Sequence, residues 1–435
     1  MRFRSALLVV ALAVVGGCAA PDELGEGGAG GVSVVQPGYY EAGGEAGRFV
    51  LARTADDVKT IQLNRTGDET SPPIVTMNSG QTLTLAFDLL DEGTGRPLSV
   101  YFYHADRSWR RDLTPSEFLR AFLSDDIRNY RTSSATEIRY VHYEYEFPNP
   151  NIDFLLSGNY IVRVAEQGNE EAVLFERAFF VSEEAAELRF TFQSGFTVGG
   201  SVLQPVVQFR PGPELENAQA FDYSVCFVRN GRYGQARCAP EPTLIELALY
   251  QFYLPRESAF EASEPLFEVD LGLLQVGPQI AGVDFSVSPY HVSLDLDYAR
   301  FGSEFIEGSL SGQPVVSAVY RDAGEAATQA EYVATTFRYV PADGPERGPV
   351  ILSGAFNDWQ IDPAYEMTWD PETGRYETTI LLKQGRYLYR YYVDDPAARP
   401  PVRDFQPSRY TAFVYLHDPS RLTDRLVATR SAIAE

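Results

Sequence analysis

EIRYVHYEYEF, residues 137–147, alternates polar and large apolar side chains in the way that a β-strand requires. In an extended strand, His142, Glu144 and Glu146 share one face, and the aromatic side chains between and after them share the other. The pattern predicts a strand with one face in water and one face in a core. A metal or acid–base site on the polar face is the alternative, because such sites are built from His and Glu side chains.

Similar strand patterns lie on both sides of this stretch and are separated by turn residues at short intervals. They are VKTIQLNR, TLTLAFDLL, LSVYFYHA, NYIVRVAE and ERAFFVS. Several short strands at roughly regular spacing are typical of a β-sandwich. We therefore predict a first β-sandwich domain over residues 48–183.

One short helix is expected within this first domain. Thr114 can act as its N-cap, Pro115 suits the first helical position, and Glu117 can complete a capping box. The side chains expected to face the core are Phe118, Leu119 and Phe122.

The rest of the chain also has the pattern of β-strands. We predict a β-rich middle domain over residues 187–340, which contains the runs PLFEVDLGL and HVSLDLDYARF, and a third β-sandwich over residues 341–435. The predicted fold class is all-β, with tandem immunoglobulin-like β-sandwich domains.

The charge of the chain is strongly acidic. Thirty-six Lys and Arg residues face 60 Asp and Glu residues, which gives a formal net charge of −24. Such a surface repels phosphate backbones, so we exclude nucleic acid as a partner. Lysine occurs only at Lys59 and Lys383.

The N-terminus has the pattern of an export signal. Residues 6–15 form an apolar run that is too short for a transmembrane helix, which needs about 20 residues. The run VVGGC that follows resembles a bacterial lipobox and predicts a signal peptide over residues 1–17 with lipid attachment at Cys18. An ordinary signal peptide with a chance cysteine is the alternative. Residues 18–47 are poor in large apolar side chains and predict a flexible tether.

Two further cysteines, Cys226 and Cys238, flank a predicted hairpin that contains Asn230 and Gly231. A two-residue turn would pair position 226 with 235, whereas a five-residue loop would place the two cysteines opposite each other. An exported protein can keep a disulfide. The sequence leaves open whether these residues form a bond or remain two buried thiols.

Motifs of known catalytic chemistry are absent from the sequence. It has no P-loop, no Gly-x-Ser-x-Gly elbow, no His-Glu-x-x-His pair and no Cys-x-x-Cys pair, and its four histidines are far apart. We therefore predict no catalytic residue, metal ligand, cofactor or small-molecule substrate, and a protein that is not an enzyme.

Several stretches together resemble the plug protein family of the type IX secretion system. They are VYFYHADRSWRRDLTPSEFLRAF, HYEYEFPN, SGNY, VRNGRYGQA and LLKQGRYLYRYYVDD. The resemblance implies a non-catalytic subunit that binds the periplasmic mouth of a giant outer-membrane β-barrel translocon and seals its pore. With the lipobox, it implies an outer-membrane lipoprotein that faces the periplasm and is held to the membrane through its N-terminal lipid.

The stretch GAFNDWQ, residues 354–360, also resembles the turn of glycogen-binding early-set modules, and so implies an early-set fold for the third domain. In those modules a Trp of this turn stacks on sugar, which makes Trp359 and Asn357 a candidate platform for a ligand or a partner. The second Trp of those modules is missing here. The alternative function is therefore a glycan-binding surface lipoprotein, and the competing expectation is that Trp359 packs across the sandwich or faces a protein partner.

Overall fold

The computed structural model describes residues 33–35, 49–91, 93–198, 200–247, 249–262, 264–299, 310–393 and 407–434. The described residues form seven β-sheets and two short α-helices, which confirms the all-β fold class. The predicted signal peptide, residues 1–17, and the predicted lipid site Cys18 lie outside them. Most of the predicted tether lies outside them too, but Ser33–Val35 is described and forms a strand.

The first domain is a sandwich of two antiparallel sheets with one parallel edge pair. Its strands are β1 (Ser33–Val35), β2 (Val50–Ala52), β3 (Val58–Arg65), β4 (Ile74–Thr76), β5 (Leu83–Leu89), β6 (Leu98–Ala105), β7 (Ser124–Ile127), β8 (Asn129–Thr132), β9 (Val141–Phe147), β10 (Gly158–Glu166) and β11 (Val173–Ser182). One sheet has the order β4-β11-β10-β6-β7 and the other β3-β5-β9-β8, while β1 pairs with β2. The core between the two sheets includes the aromatic face of residues 141–147, as the alternating pattern predicts.

A helix of one turn, α1 (Pro115–Phe118), lies between β6 and β7. The Glu117 carboxylate accepts a hydrogen bond from the Thr114 backbone N–H at 2.8 Å, as in the predicted capping box. Phe118 and Leu119 are buried, but Phe122 is exposed. The expectation for Phe122 is wrong because the chain becomes extended at Leu119, so helical spacing no longer applies after it.

The middle part of the chain continues with seven strands. They are β12 (Ala186–Thr197), β13 (Gly200–Pro211), β14 (Tyr223–Arg229), β15 (Arg237–Ala239), β16 (Leu244–Glu246), β17 (Leu249–Tyr253) and β18 (Phe260–Glu261). The next segments are β19 (Phe267–Asp270), β20 (Ile280–Asp284), β21 (His291–Tyr298), β22 (Val315–Val316), helix α2 (Ala323–Gln329), β23 (Tyr332–Val340), β24 (Val350–Gly354), β25 (Thr368–Asp370), β26 (Arg375–Lys383) and β27 (Gly385–Val393). The last two strands are β28 (Ser408–Asp418) and β29 (Thr423–Ala434).

The strand pairing does not follow the expected division into a middle domain that ends at residue 340 and a third domain that begins at residue 341. β28 and β29 join β14 and β15 in one sheet, which packs on the sheet β12-β13-β17-β16. β19 to β27 form the two sheets of the third domain. One has the order β19-β27-β22, with β24 also paired to β27, and the other has the order β20-β21-β23-β26-β25. The third domain is therefore inserted into the middle domain, whose last two strands follow it in the chain.

Burial explains why the last strands return to the middle domain. β28 is buried on both faces, so it needs a packed layer above and below, and β14 and β29 pair with its two edges. One face, with Tyr410, Ala412 and Val414, enters the core of the middle domain. The other face, with Phe413 and Tyr415, packs against the first domain.

Candidate functional site

An apolar layer joins the first domain to the middle domain. Phe180 of β11 and Phe413 of β28 have ring centroids 4.4 Å apart, and Phe49 packs edge-on against Trp109 at 4.7 Å. These residues belong to one buried cluster that contains side chains from both domains. A junction that buries large aromatic side chains resists separation, because parting the domains would expose them to water.

The SGNY stretch supplies polar contacts to this same junction. The Ser157 hydroxyl donates to the Glu183 carboxylate at 2.6 Å, and Arg425 of β29 binds both oxygens of Glu183 at 2.8 and 2.6 Å. The Tyr415 hydroxyl donates to the Asn159 side-chain oxygen at 2.8 Å. A motif from the first domain thus positions the C-terminal strands of the middle domain.

A buried ionic cluster joins the first domain to the third. The Asp88 carboxylate of β5 accepts from the Lys383 ammonium at 2.6 Å and from the Tyr332 hydroxyl at 2.7 Å. Lys383 also donates to the Ala327 carbonyl oxygen at 2.7 Å and lies 4.3 Å from the ring centre of Tyr140. Lys383 is one of only two lysines in the chain, and its ammonium group makes a contact between domains.

The polar face of β9 lies in this cluster, where the sequence predicts a water-facing surface. His142 is buried, with Nδ1 2.7 Å from Asp88 and Nε2 3.2 Å from Glu144. Burial disfavours its charged form, but hydrogen bonds to these two carboxylates raise the pKa of His142 above its ordinary value. The face is partly covered because the third domain packs on it, a contact that local alternation does not encode.

The stability of this junction is expected to depend on pH in both directions. Burial acts to raise the pKa of Asp88, but Lys383 and His142 hold it below its ordinary value, so its contribution is lost as pH falls below about 4. The raised pKa of His142 means that its contribution is present below about 6.5 and is lost as pH rises through the higher folded value. Thermal unfolding measured from pH 3 to 9 should show greatest stability near pH 5–6.5.

The matched variant for this prediction is His142→Gln, which removes the titrating group. We expect it to flatten the decline above about pH 6.5 while leaving the acid limb in place, because Asp88 still titrates there. An unchanged decline above that pH would show that His142 is not its source.

A second buried ionic cluster joins the middle domain to the third. The Glu264 carboxylate binds Arg229 at 2.6 Å, Arg232 at 2.7 Å and Arg390 of β27. All four side chains are buried. Burial alone would raise the pKa of Glu264, but the guanidinium groups of Arg232, Arg229 and Arg390 hold it well below its ordinary value.

The three domains meet where two glycines approach closely. Gly231 has φ +66° and Gly312 has φ +77°, and a Cβ on Gly231 would lie 2.0 Å from the Ser311 carbonyl oxygen. Next to them, the Gln313 side chain binds both the backbone N–H and the backbone carbonyl of Leu63 in the first domain, at 2.5 and 2.7 Å. The Asn-Gly pair that predicts a hairpin turn therefore also permits the contact between the middle and third domains.

The two cysteines face each other in β14 and β15. Cys226 pairs with Cys238 in the strand register, and the structure has a disulfide between them. This is the register of the longer hairpin loop. Both residues belong to the apolar layer under the first domain.

The candidate platform at Trp359 is not on the surface. Trp359 is 1% exposed, and its indole N–H donates to the Gly312 carbonyl oxygen at 2.8 Å. The Arg232 guanidinium lies 5.1 Å from its ring centre. The Asn357 side chain closes its own turn by accepting from the Gly354 N–H at 2.9 Å. The turn therefore packs between domains, and the buried indole ring of Trp359 has no exposed face on which a sugar could stack.

The described residues also hold few features of a ligand site. No group of three or more His, Cys, Asp or Glu side chains among them has the arrangement of a metal site. A shallow cleft of about 560 Å³ lies on the third domain, and none of its lining residues is Phe, Tyr or Trp. No helix in this part of the chain has the length and apolar character to cross a membrane.

Comparison with known proteins supports a fold and one family domain. No curated protein matches the chain. A hypothetical protein from Parabacteroides merdae ATCC 43184 has a crystal structure with TM-score 0.77 and 21% identity, over 88% of this chain and 99% of that one. At this identity the likeness shows the fold alone.

The chain also has a weaker structural match and a match to one family model. Dimeric latent PorU from Porphyromonas gingivalis gives a TM-score of 0.12 at 8% identity, over 89% of this chain and 35% of that one, which carries no argument. The family model described as Type 9 secretion system plug protein 1st domain matches residues 58–183, which correspond to the sandwich of β3 to β11. Over residues 58–183, the chain is therefore similar to the first domain of type 9 secretion system plug proteins.

Proposed function

We propose that the chain is a non-catalytic subunit of the type 9 secretion system that docks on the periplasmic side of the outer-membrane β-barrel translocon and seals its pore. The observation that carries the proposal is the family match over residues 58–183. The role requires bulk and a stable contact with a partner, and it requires no reacting group.

The domain junctions support this role because a steric seal must keep its shape. An apolar layer holds the first and middle domains together, and two buried ionic clusters hold the third domain to both. Buried aromatic contacts and desolvated charge pairs fix relative positions more firmly than exposed polar contacts do. The motifs SGNY, VRNGRYGQA and LLKQGRYLYRYYVDD each supply side chains to these junctions.

Anchoring through a lipid on Cys18 would hold the protein near its channel. Strand β1 begins at Ser33 and pairs with β2 of the first domain. The chain between Cys18 and Ser33 can span at most about 50 Å when fully extended. We propose that the lipid anchor and this limited reach keep the protein at the periplasmic face of the outer membrane, where its local concentration favours docking.

Co-purification tests the proposed docking. The full chain with a C-terminal tag, isolated from membranes in mild detergent, is expected to bring down one very large outer-membrane β-barrel protein in stoichiometric amount. Deletion of its gene is expected to make the outer membrane permeable to bulky solutes. Recovery of the protein without a barrel, together with an unchanged permeability barrier after deletion, would refute the proposal.

A further inference from the structure

The hairpin of β12 and β13 extends beyond the core of the middle domain. Along it, the cross-strand pair of Gly195 and Val202 is buried, but Phe196 of the next pair is 78% exposed. The strand register stays regular from this buried pair to the end of the hairpin. The hairpin tip, residues 196–198 and 200–201, therefore lies outside the packed part of the domain.

Two apolar side chains protrude from the hairpin tip, because Val198 is fully exposed as well as Phe196. Their Cα atoms lie within about 7.6 Å of each other, since each step along the chain spans about 3.8 Å. Alternate residues of a strand share a face, so Phe196 continues the row of Phe190 and Phe192, which pack on the core. The tip therefore carries apolar surface past the point where the fold can cover it.

The hairpin tip lies in the middle of a run of sequence without charge. No Asp, Glu, Lys, Arg or His occurs in residues 190–209, although 22% of the chain is charged. The first charged residues along the two strands are Arg189 and Arg210, roughly 30 Å from the turn at about 3.3 Å per residue. Charged side chains are costly to remove from water, so their exclusion from exposed strands is what entry into an apolar medium requires.

The size of the hairpin tip argues for a bilayer and against a protein partner. A stable protein interface buries about 800 Å² on each side. One large aromatic side chain such as Phe196 supplies only about 150–250 Å², and Val198 supplies less. The tip also offers no charge for recognition. A bilayer requires neither shape nor charge, and it takes up apolar side chains at the boundary between head groups and acyl chains.

We propose that the hairpin tip inserts into the surface of a lipid bilayer, with Phe196 and Val198 at the boundary between head groups and acyl chains. Backbone groups are costly to bring into hydrocarbon, so the insertion is shallow, about 5–10 Å. Arg256 and Glu261, which lie beside the buried pair below the tip, are then at the depth of the head groups. The inference goes beyond the proposed function and rests on it only for the position at the outer membrane. With the proposed lipid on Cys18, a second contact fixes the orientation of the protein on the membrane.

Quenching of tryptophan fluorescence by brominated lipid tests the insertion. The full chain with Phe196→Trp is reconstituted in vesicles of phosphatidylethanolamine and phosphatidylcholine whose acyl chains carry bromine close to the head group. The emission that this variant adds to that of the wild type reports on the new indole alone. We expect it to move to shorter wavelength and to fall at least about twofold, because the indole lies at the depth of the bromine atoms.

The matched control is Leu247→Trp. Leu247 is 98% exposed at the tip of the hairpin of β16 and β17, beside Glu246. The pairing of β17 with β13 places this second tip at the opposite end of the same sheet, about 35 Å away, so its indole should not be quenched. Adding Val198→Asp to Phe196→Trp should abolish the quenching, because a carboxylate resists entry into the bilayer. All these positions are exposed, so thermal unfolding close to that of the wild type checks the fold.

The outcomes separate the inference from the proposed function. Equal quenching of the Phe196→Trp and Leu247→Trp variants, or quenching of neither, would refute insertion of the hairpin tip. If the indole of the Phe196→Trp variant is shielded only after the purified translocon barrel is added, the tip contacts protein and the inference is overturned. Binding to the barrel without quenching by lipid would refute the inference alone, whereas quenching without any binding to the barrel would refute only the proposed function.

Discussion

Replacing Glu264 by Gln is expected to lower the free energy of unfolding by about 3–5 kcal/mol, the cost of leaving buried charge without its counter-ion. Glu264 is the carboxylate that Arg229, Arg232 and Arg390 share at the junction of the middle and third domains. A neutral amide keeps the volume of the side chain but removes the charge that balances these guanidinium groups. Urea unfolding of the full chain, followed by circular dichroism, measures the loss.

The matched control for this prediction is Glu257→Gln, which makes the same chemical change at an exposed position of the middle domain. It should change the free energy of unfolding by less than about 0.5 kcal/mol. Equal, small effects of the two substitutions would mean that Glu264 does not hold the domains together.

Replacing Lys383 by Met is expected to destabilise the chain by about 3 kcal/mol, because it leaves the Asp88 carboxylate buried without its ammonium partner. Met keeps the length and apolar character of the lysine stem but lacks the ammonium group, which lies over the rings of Tyr140 and Tyr332. The sequence offers a natural control in the other lysine, Lys59, which donates to the Asp56 carbonyl near the surface. Lys59→Met should cost less than about 1 kcal/mol.

A double variant separates the ion pair from general damage to the junction. Asp88→Asn combined with Lys383→Met removes both charges, so its destabilisation should be smaller than the sum of the two single effects by at least about 1 kcal/mol. Strict additivity would contradict a direct interaction between Asp88 and Lys383.

The elements of the first domain are largely predictable from local pattern. The strand at residues 141–147, the capping box of Thr114 and Glu117, and the buried aromatic face all follow from periodicity and capping chemistry, which depend on near neighbours. Phe122 is the exception within this domain. Its exposure follows from the end of α1 after one turn, and helix length is poorly specified by a single turn of sequence.

The arrangement of the domains is not predictable in this way. Periodicity identifies β28 and β29 as strands but does not say which sheet they join, so an uninterrupted third domain is expected where the structure has an insertion. Asp88 and Lys383 lie 295 positions apart, and no local pattern relates them. The local sequence around a buried Trp such as Trp359 can be the same as that around a Trp that stacks on sugar. Whether the ring is buried depends on which residues the other domains cover.

The role of the candidate site is likewise not predictable from local sequence pattern. Sequence resemblance draws attention to SGNY, VRNGRYGQA and LLKQGRYLYRYYVDD, and the structure relates all three to domain junctions. Their chemical role becomes visible only when Glu183, Glu264 and Asp88 are placed opposite them.

The most direct test of the account is the ionic conductance of the open translocon barrel, reconstituted in a planar lipid bilayer, before and after the full chain is added to its periplasmic side. A plug that acts by steric occlusion should reduce the conductance of a single channel to near the baseline, in proportion to occupancy and without any added substrate or cofactor. A conductance that stays unchanged at saturating protein would contradict the account.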